Sequence, residues 1–204
     1  PTIEDDVVID VEPGGLFFTV TMASDAEARS LRIGRPADAR TEQHRLAMTG
    51  GVHPNARVLT LAEGPLEIAR TGRLDAGRSG VPPGCCSQSG WIARIEGVDG
   101  APIQLLNHGA IEAHNLRLTG DLIGGRPADD PDGPGGRITS RGQNSVTGTF
   151  DLEPGGSLFL VVDRGEEPFA FGSPPRWTIQ GGDLTVHEGA SLTLWIATND
   201  GGIG

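Results

Sequence analysis

The sequence predicts an all-β fold: a right-handed parallel β-solenoid (β-helix) made by one domain over residues 1–204. Three observations carry this reading. Apolar residues alternate in short runs, glycine and proline punctuate those runs, and one strand–bend–strand pattern recurs along the chain. In a strand every second side chain shares a face, so each run has one face to bury. Glycine accepts the positive φ of a sharp bend, and proline presets its neighbour.

The first copy of the pattern runs from Asp10 to Val20 through Glu12, Pro13, Gly14 and Gly15. Asp151 to Val161 repeats it almost letter for letter, through Glu153, Pro154, Gly155 and Gly156. Thr185 to Leu194 is a third copy, around Glu188 and Gly189. Leu61–Ile68, around Glu63 and Gly64, and Leu105–Glu112, around Gly109, are looser versions. A coil of this kind buries its apolar face only when neighbouring coils are present. The uneven spacing implies insertions, placed near 76–90, 124–136 and 163–176. Helical periodicity is nearly absent. Ser24–Leu31 is the best candidate for a helical turn or two, with Ser24 or Asp25 as its cap, or else a loop leading into Leu31-Arg32-Ile33. A β-sandwich is the alternative fold, and it predicts more hairpin turns than the sequence offers.

Composition narrows the partners. The formal net charge is −11, and all 16 basic residues are arginine. Nucleic acid and anionic membrane surfaces are therefore not expected, because both need clustered cations. No apolar run approaches the roughly 20 residues of a membrane-spanning helix. Pro1 fits a chain that follows an initiator Met as well as a processed piece or a fragment of a longer protein.

Candidate chemistry is sparse. Asp129, Asp130 and Asp132 form the densest acidic cluster, and calcium is the cation such oxygen ligands suit. The string lacks the full spacing of a calcium loop, so a solvated loop is the plainer reading. Arg126, Arg137 and Arg141 flank this cluster. Acid–base catalysis needs paired carboxylates, and no pair is visible along the sequence. Glu12, Glu63, Glu153 and Glu188 recur at equivalent places in the repeat, which favours turns over catalysis. His108 and His114 would lie on one face only if both belonged to the same coil. Cys85 and Cys86 are adjacent, which strains a mutual disulfide and leaves an intermolecular bridge or two reduced thiols. Phe169 and Phe171 sit in a loop, where they either fold back or touch a partner. Trp91, Trp177 and Trp195 read as wall packing, with a sugar-stacking platform as the sharper alternative.

The opening Ile3–Asp10, Phe18–Met22 and Ala28–Ile33 resemble the start of bacterial β-helix surface proteins, of the autotransporter-passenger and adhesin kinds. Leu106–Ala113 resembles their Asn-x-Gly-x-Ile coil, and Ile179–Val186 their Gly-Gly-x-Leu-x-Val coil. Similar coils occur in phage fibres and spikes. The resemblance implies a non-catalytic structural or adhesive module on an extracellular surface, a filament or a virion. Its partners would be copies of itself or neighbouring structural proteins, and a glycan. The alternative is a polysaccharide lyase or hydrolase on the same scaffold, with a groove of Asp129, Asp130, Arg137 and a tryptophan.

Overall fold

Runs such as Leu116-Arg117-Leu118 and Leu66-Glu67-Ile68 alternate apolar and polar residues, and each folds as a short strand with both apolar side chains buried. The computed structural model describes residues 1–10, 18–36, 44–48, 56–77, 92–130, 132–163 and 176–197. Among these the fold is all-β, with no α-helix and one 3₁₀ turn at Val98–Gly100. Cys85, Cys86, Phe169, Phe171, Trp91 and Glu12 lie outside the described residues.

Among the described residues twenty strands form three parallel sheets of seven, seven and six strands. Sheet A holds β1 (Asp6–Ile9), β4 (Ser30–Ile33), β7 (Leu66–Ile68), β10 (Ile103–Asn107), β13 (Gly120–Gly124), β16 (Phe150–Leu152) and β19 (Leu184–Val186). Sheet B holds β2 (Phe18–Thr21), β5 (His44–Met48), β8 (Gly72–Ala76), β11 (Ala110–Ala113), β14 (Arg137–Ser140), β17 (Ser157–Asp163) and β20 (Ser191–Ala197). Sheet C holds β3 (Ala26–Ala28), β6 (Arg57–Leu61), β9 (Ala93–Gly97), β12 (Leu116–Leu118), β15 (Gln143–Val146) and β18 (Arg176–Ile179). The chain visits A, B and C in that order throughout, so each strand pairs with the third strand after it.

This pairing stacks like on like. On sheet A, Val7, Leu31, Leu66, Leu105, Leu122, Phe150 and Leu184 are successive register partners. Sheet B aligns Val20, Leu46, Leu74, Ile111, Ile138, Leu158 and Leu192. Sheet C aligns Ala26, Leu59, Ile95, Leu118, Val146 and Ile179. The buried members of all three files meet in one hydrophobic cluster. Trp177 packs edge-on against Phe150 of that cluster, with ring centroids 4.9 Å apart, which assigns this indole to wall packing.

Corners are built by short-range chemistry. Between β16 and β17 the Gly156 amide donates to the Glu153 carbonyl at 2.9 Å, and Gly155 has φ 81°. Between β19 and β20 the Ala190 amide donates to the His187 carbonyl at 3.0 Å, and Gly189 has φ 83°. Both are four-residue turns that need a left-handed third residue, the conformation glycine supplies without strain. At the B-to-C corner Asn144 is buried and fastens two successive turns. Its Oδ1 accepts from the Leu116 amide at 2.8 Å, and its Nδ2 donates to Ser140 Oγ at 2.9 Å.

Several expectations shift. Ser24–Leu31 forms no helical turn: Ala26–Ala28 is a strand of sheet C, and the Asp25 carboxylate accepts from the Val58 amide at 2.9 Å. Tertiary pairing outweighs the weak local helical signal there. The copy at Leu61–Ile68 is out of phase, because Glu63 and Gly64 lie at a C-to-A corner while the other described copies span A-to-B corners. The in-phase corner is Ala69–Gly72, where the Gly72 amide donates to the Ala69 carbonyl at 2.7 Å. The repeated acids are not equivalent either. Leu152 is the register partner of Val186, so Glu153 matches His187, and Pro154 matches Glu188. Between these two rungs the turn recurs and the acid shifts by one position. Of the expected insertions, the one near 124–136 joins β13 to β14, and most of those near 76–90 and 163–176 lie outside the described residues.

An ion pair ties the first strand to its neighbour. Asp6 accepts from Arg29 Nε at 2.9 Å and from Ser30 Oγ at 2.6 Å. The Arg29 guanidinium, and secondly the Ser30 hydroxyl, lower the Asp6 pKa from 3.8 to about 2. A depressed carboxyl pKa stabilises the fold above the unfolded value and ceases to do so as pH falls through the folded value. Urea midpoints of the protein and of Asp6→Asn should therefore differ at neutral pH and converge as the pH falls from about 4 to about 2. A pH-independent difference would show that this ionisation is not linked to folding.

Candidate functional site

On strands of sheet B, residues either side of the buried file residue point outward, and parallel register gathers them into two adjacent rows. Arg45, Arg73, Ala110 and Arg137 are successive partners in one row. Asp75, Glu112, Thr139, Phe159 and Thr193 are successive partners in the other. Basic side chains therefore stand beside acidic ones across and along the strands.

The result is an ion-pair ladder. Arg73 Nε donates to Asp75 Oδ1 at 2.7 Å, and Arg45 meets Asp75 Oδ2. Glu112 lies 3.9 Å from Arg73 Nη2 and 3.9 Å from Arg141 Nε. The Asp75 side chain is only 5% exposed, so its charge depends on the two guanidiniums that face it. The sequence shows no carboxylate pair, yet register makes Asp75 and Glu112 direct neighbours. The missed signal is the shared triplet of polar or small residue, buried aliphatic residue and acid: Arg73-Leu74-Asp75 and Ala110-Ile111-Glu112.

Next to the ladder lies a shallow groove of about 400 Å³, lined by Glu112, Arg137, Thr139, Arg141, Phe159 and Thr193, with Val161 behind. Arg137 thus stands with Glu112 and Arg141. Among the described residues Asp129, Asp130 and Trp177 do not line this groove, so it does not join Arg137 to Asp129 and Asp130 as expected; Trp91 and the Trp195 side chain lie outside the described residues. Asp129, Asp130 and Asp132 lie in the connection between β13 and β14. There Asp130 pairs with Arg70, which takes up one carboxylate of the expected calcium set. Among the described residues no three His, Cys, Asp or Glu side chains gather as a metal site. His108 and His114 flank β11 at successive corners rather than sharing a face. His108 Nδ1 lies 3.2 Å from the Gly125 carbonyl, which accounts for it as a corner residue.

A second cluster deserves comparison because it has the residue types of a nucleophilic triad. His44 Nδ1 is 3.0 Å from Thr71 Oγ1, and His44 Nε2 is 3.5 Å from Asp10 Oδ1. The Arg35 amide also donates to Thr71 Oγ1 at 2.9 Å. Thr71 is fully buried, so no substrate atom reaches its oxygen. The cluster fastens an A-to-B corner.

The chain matches no protein-family model, no curated protein and no solved structure.

Removing both guanidiniums should strand the Asp75 charge. The double variant Arg45→Met/Arg73→Met should lose about 3–5 kcal/mol of unfolding free energy. Adding Asp75→Asn should restore most of that loss, because the buried charge is then gone. Urea denaturation of the three proteins measures both changes, and a triple variant no more stable than the double would refute the coupling.

Proposed function

We propose that the protein is a non-catalytic structural module: a right-handed parallel β-solenoid that stacks end to end on copies of itself in an extracellular surface, filament or virion. The solenoid reading is supported by the fixed A, B, C rotation of the chain and by the single cluster that all three sheets enclose. A sandwich would instead set two sheets face to face and favour antiparallel hairpins.

One observation carries the assembly reading. The files do not close at the last described rung. Leu184, Val186, Leu192 and Leu194 occupy positions that are buried on earlier rungs, but here they are exposed, Leu194 by 62%. β19, β20 and β18 are also the edge strands of their sheets. An edge with apolar side chains and unpaired backbone groups invites another strand. The opposite end supplies a matching surface. Val7, Val20 and Ala26 belong to the same three files and are partly buried on the first rung. A second copy seated head to tail would continue each file in parallel register. Such a heterologous contact repeats without closing unless the rotation forms a ring, and so builds a filament.

The groove on sheet B favours a second reading, recognition of a glycan or an enzyme acting on one. It shares the scaffold and differs in predicting chemistry on the flank rather than at the ends.

Sedimentation velocity over a concentration series tests the assembly. The protein should form species larger than a monomer at high concentration. Leu194→Glu, which alters an exposed side chain, should shift it to monomer with an unchanged thermal midpoint. A monomer at every concentration would sink the assembly reading.

A further inference from the structure

The groove beside the ion-pair ladder combines three chemistries. Arg137 and Arg141 present guanidiniums, Glu112 presents a carboxylate, and Phe159 presents an aromatic ring between Thr139 and Thr193. A guanidinium matches a planar carboxylate with two parallel hydrogen bonds. A carboxylate accepts hydroxyl protons, and a threonine hydroxyl both donates and accepts. A ring face offers apolar area at little conformational cost. A pyranose ring that carries a carboxylate satisfies all three, with its acid, its hydroxyl rim and its C–H face.

The geometry points to a binding site for an acidic glycan, a linear chain of uronate residues, lying across β11, β14, β17 and β20 on the outward face of sheet B. The rung spacing is about 4.8 Å, a length comparable to one sugar unit, so successive rungs can meet successive sugars. The outward row continues from Arg137 to Ser157 and Ser191, which adds hydroxyls along the same path. Arg141 stands 3.9 Å from Glu112, and a guanidinium carries five donors, so it can bind more than one group at once.

The net charge of −11 does not forbid an anionic ligand. Acids elsewhere on the surface are screened over about 8 Å at physiological salt, and the groove places Arg137 and Arg141 at the ligand's path. The inference rests on the glycan reading of this groove and not on the assembly reading, because the site uses outward residues and end-to-end stacking uses the interior files.

Isothermal titration of the full chain tests it. The probes are tetrasaccharides of galacturonate, glucuronate and guluronate, with a neutral glucose tetrasaccharide at the same concentrations. At least one uronate probe should bind on the order of tenfold or more tighter than the neutral one, and more weakly as salt is raised. Arg141→Gln and Arg137→Gln should each weaken it by about tenfold, the scale of one charge-assisted pair. Phe159→Leu keeps apolar bulk but loses the ring face, and should also weaken it. Thermal midpoints identify which variants retain the fold, and the folded ones carry the comparison. The inference is overturned if no uronate probe binds, if the neutral probe binds equally well, or if the folded variants bind as the parent does.

Discussion

Parallel register between each strand and the third strand after it is the constraint on which everything else rests. It lays Leu31, Leu66, Leu105, Leu122 and Phe150 in one buried file, and comparable files in the other two sheets. Burying a side chain of this size is worth about 1.5–3 kcal/mol, and that gain is collected only when the rungs above and below are present. A slip of one residue would turn a whole strand's apolar set outward. Register is therefore held by the core itself, with corners such as Asn144 and the glycine turns pinning where each rung bends.

The same register writes the surface. Outward residues that are far apart in sequence become neighbours, so Arg45, Asp75 and Glu112 form a ladder that no local motif announces. The groove beside it and the open last rung both follow from the stacking rule, one on the flank and one at the end. The flank offers charge and an aromatic ring, and the end offers bare aliphatic side chains and strand edges. The proposed assembly would use the end of the stack and the proposed glycan site its flank, so the two proposals call on different residues.

Much of the all-β architecture was legible from Leu-x-Leu and Leu-x-Ile alternation and from Glu-Pro-Gly-Gly turns. The repeat phase was less so. Gly64 and Gly109 look alike in sequence, but one bends a C-to-A corner and the other an A-to-B corner. Both corners need a small residue near a crowded backbone, so the local chemistry cannot distinguish them. Ala26–Ala28 illustrates the opposite limit, since Ala-Glu-Ala favours helix and becomes strand only by pairing with Leu59–Leu61. The candidate site was hardly legible. Along the sequence Arg137 and Arg141 stand close to Asp129 and Asp130, whereas Glu112, which lines the groove with them, comes from the preceding rung. Proximity in sequence stood in for register, and in a stacked fold register decides.

The most direct test of the stack is a distance along one file of outward residues. Val8 and Thr185 stand in the same outward row of sheet A, joined through Arg32, Glu67, Leu106, Ile123 and Asp151. Spin labels at Val8→Cys and Thr185→Cys, with Cys85 and Cys86 changed to serine, can be measured by pulsed dipolar spectroscopy in protein diluted with unlabelled chain. Six strand spacings of about 4.8 Å predict one distribution centred at roughly 29 Å. A distribution well below 20 Å, or two separate distances, would contradict the in-register stack, using the same strand spacing as the ruler.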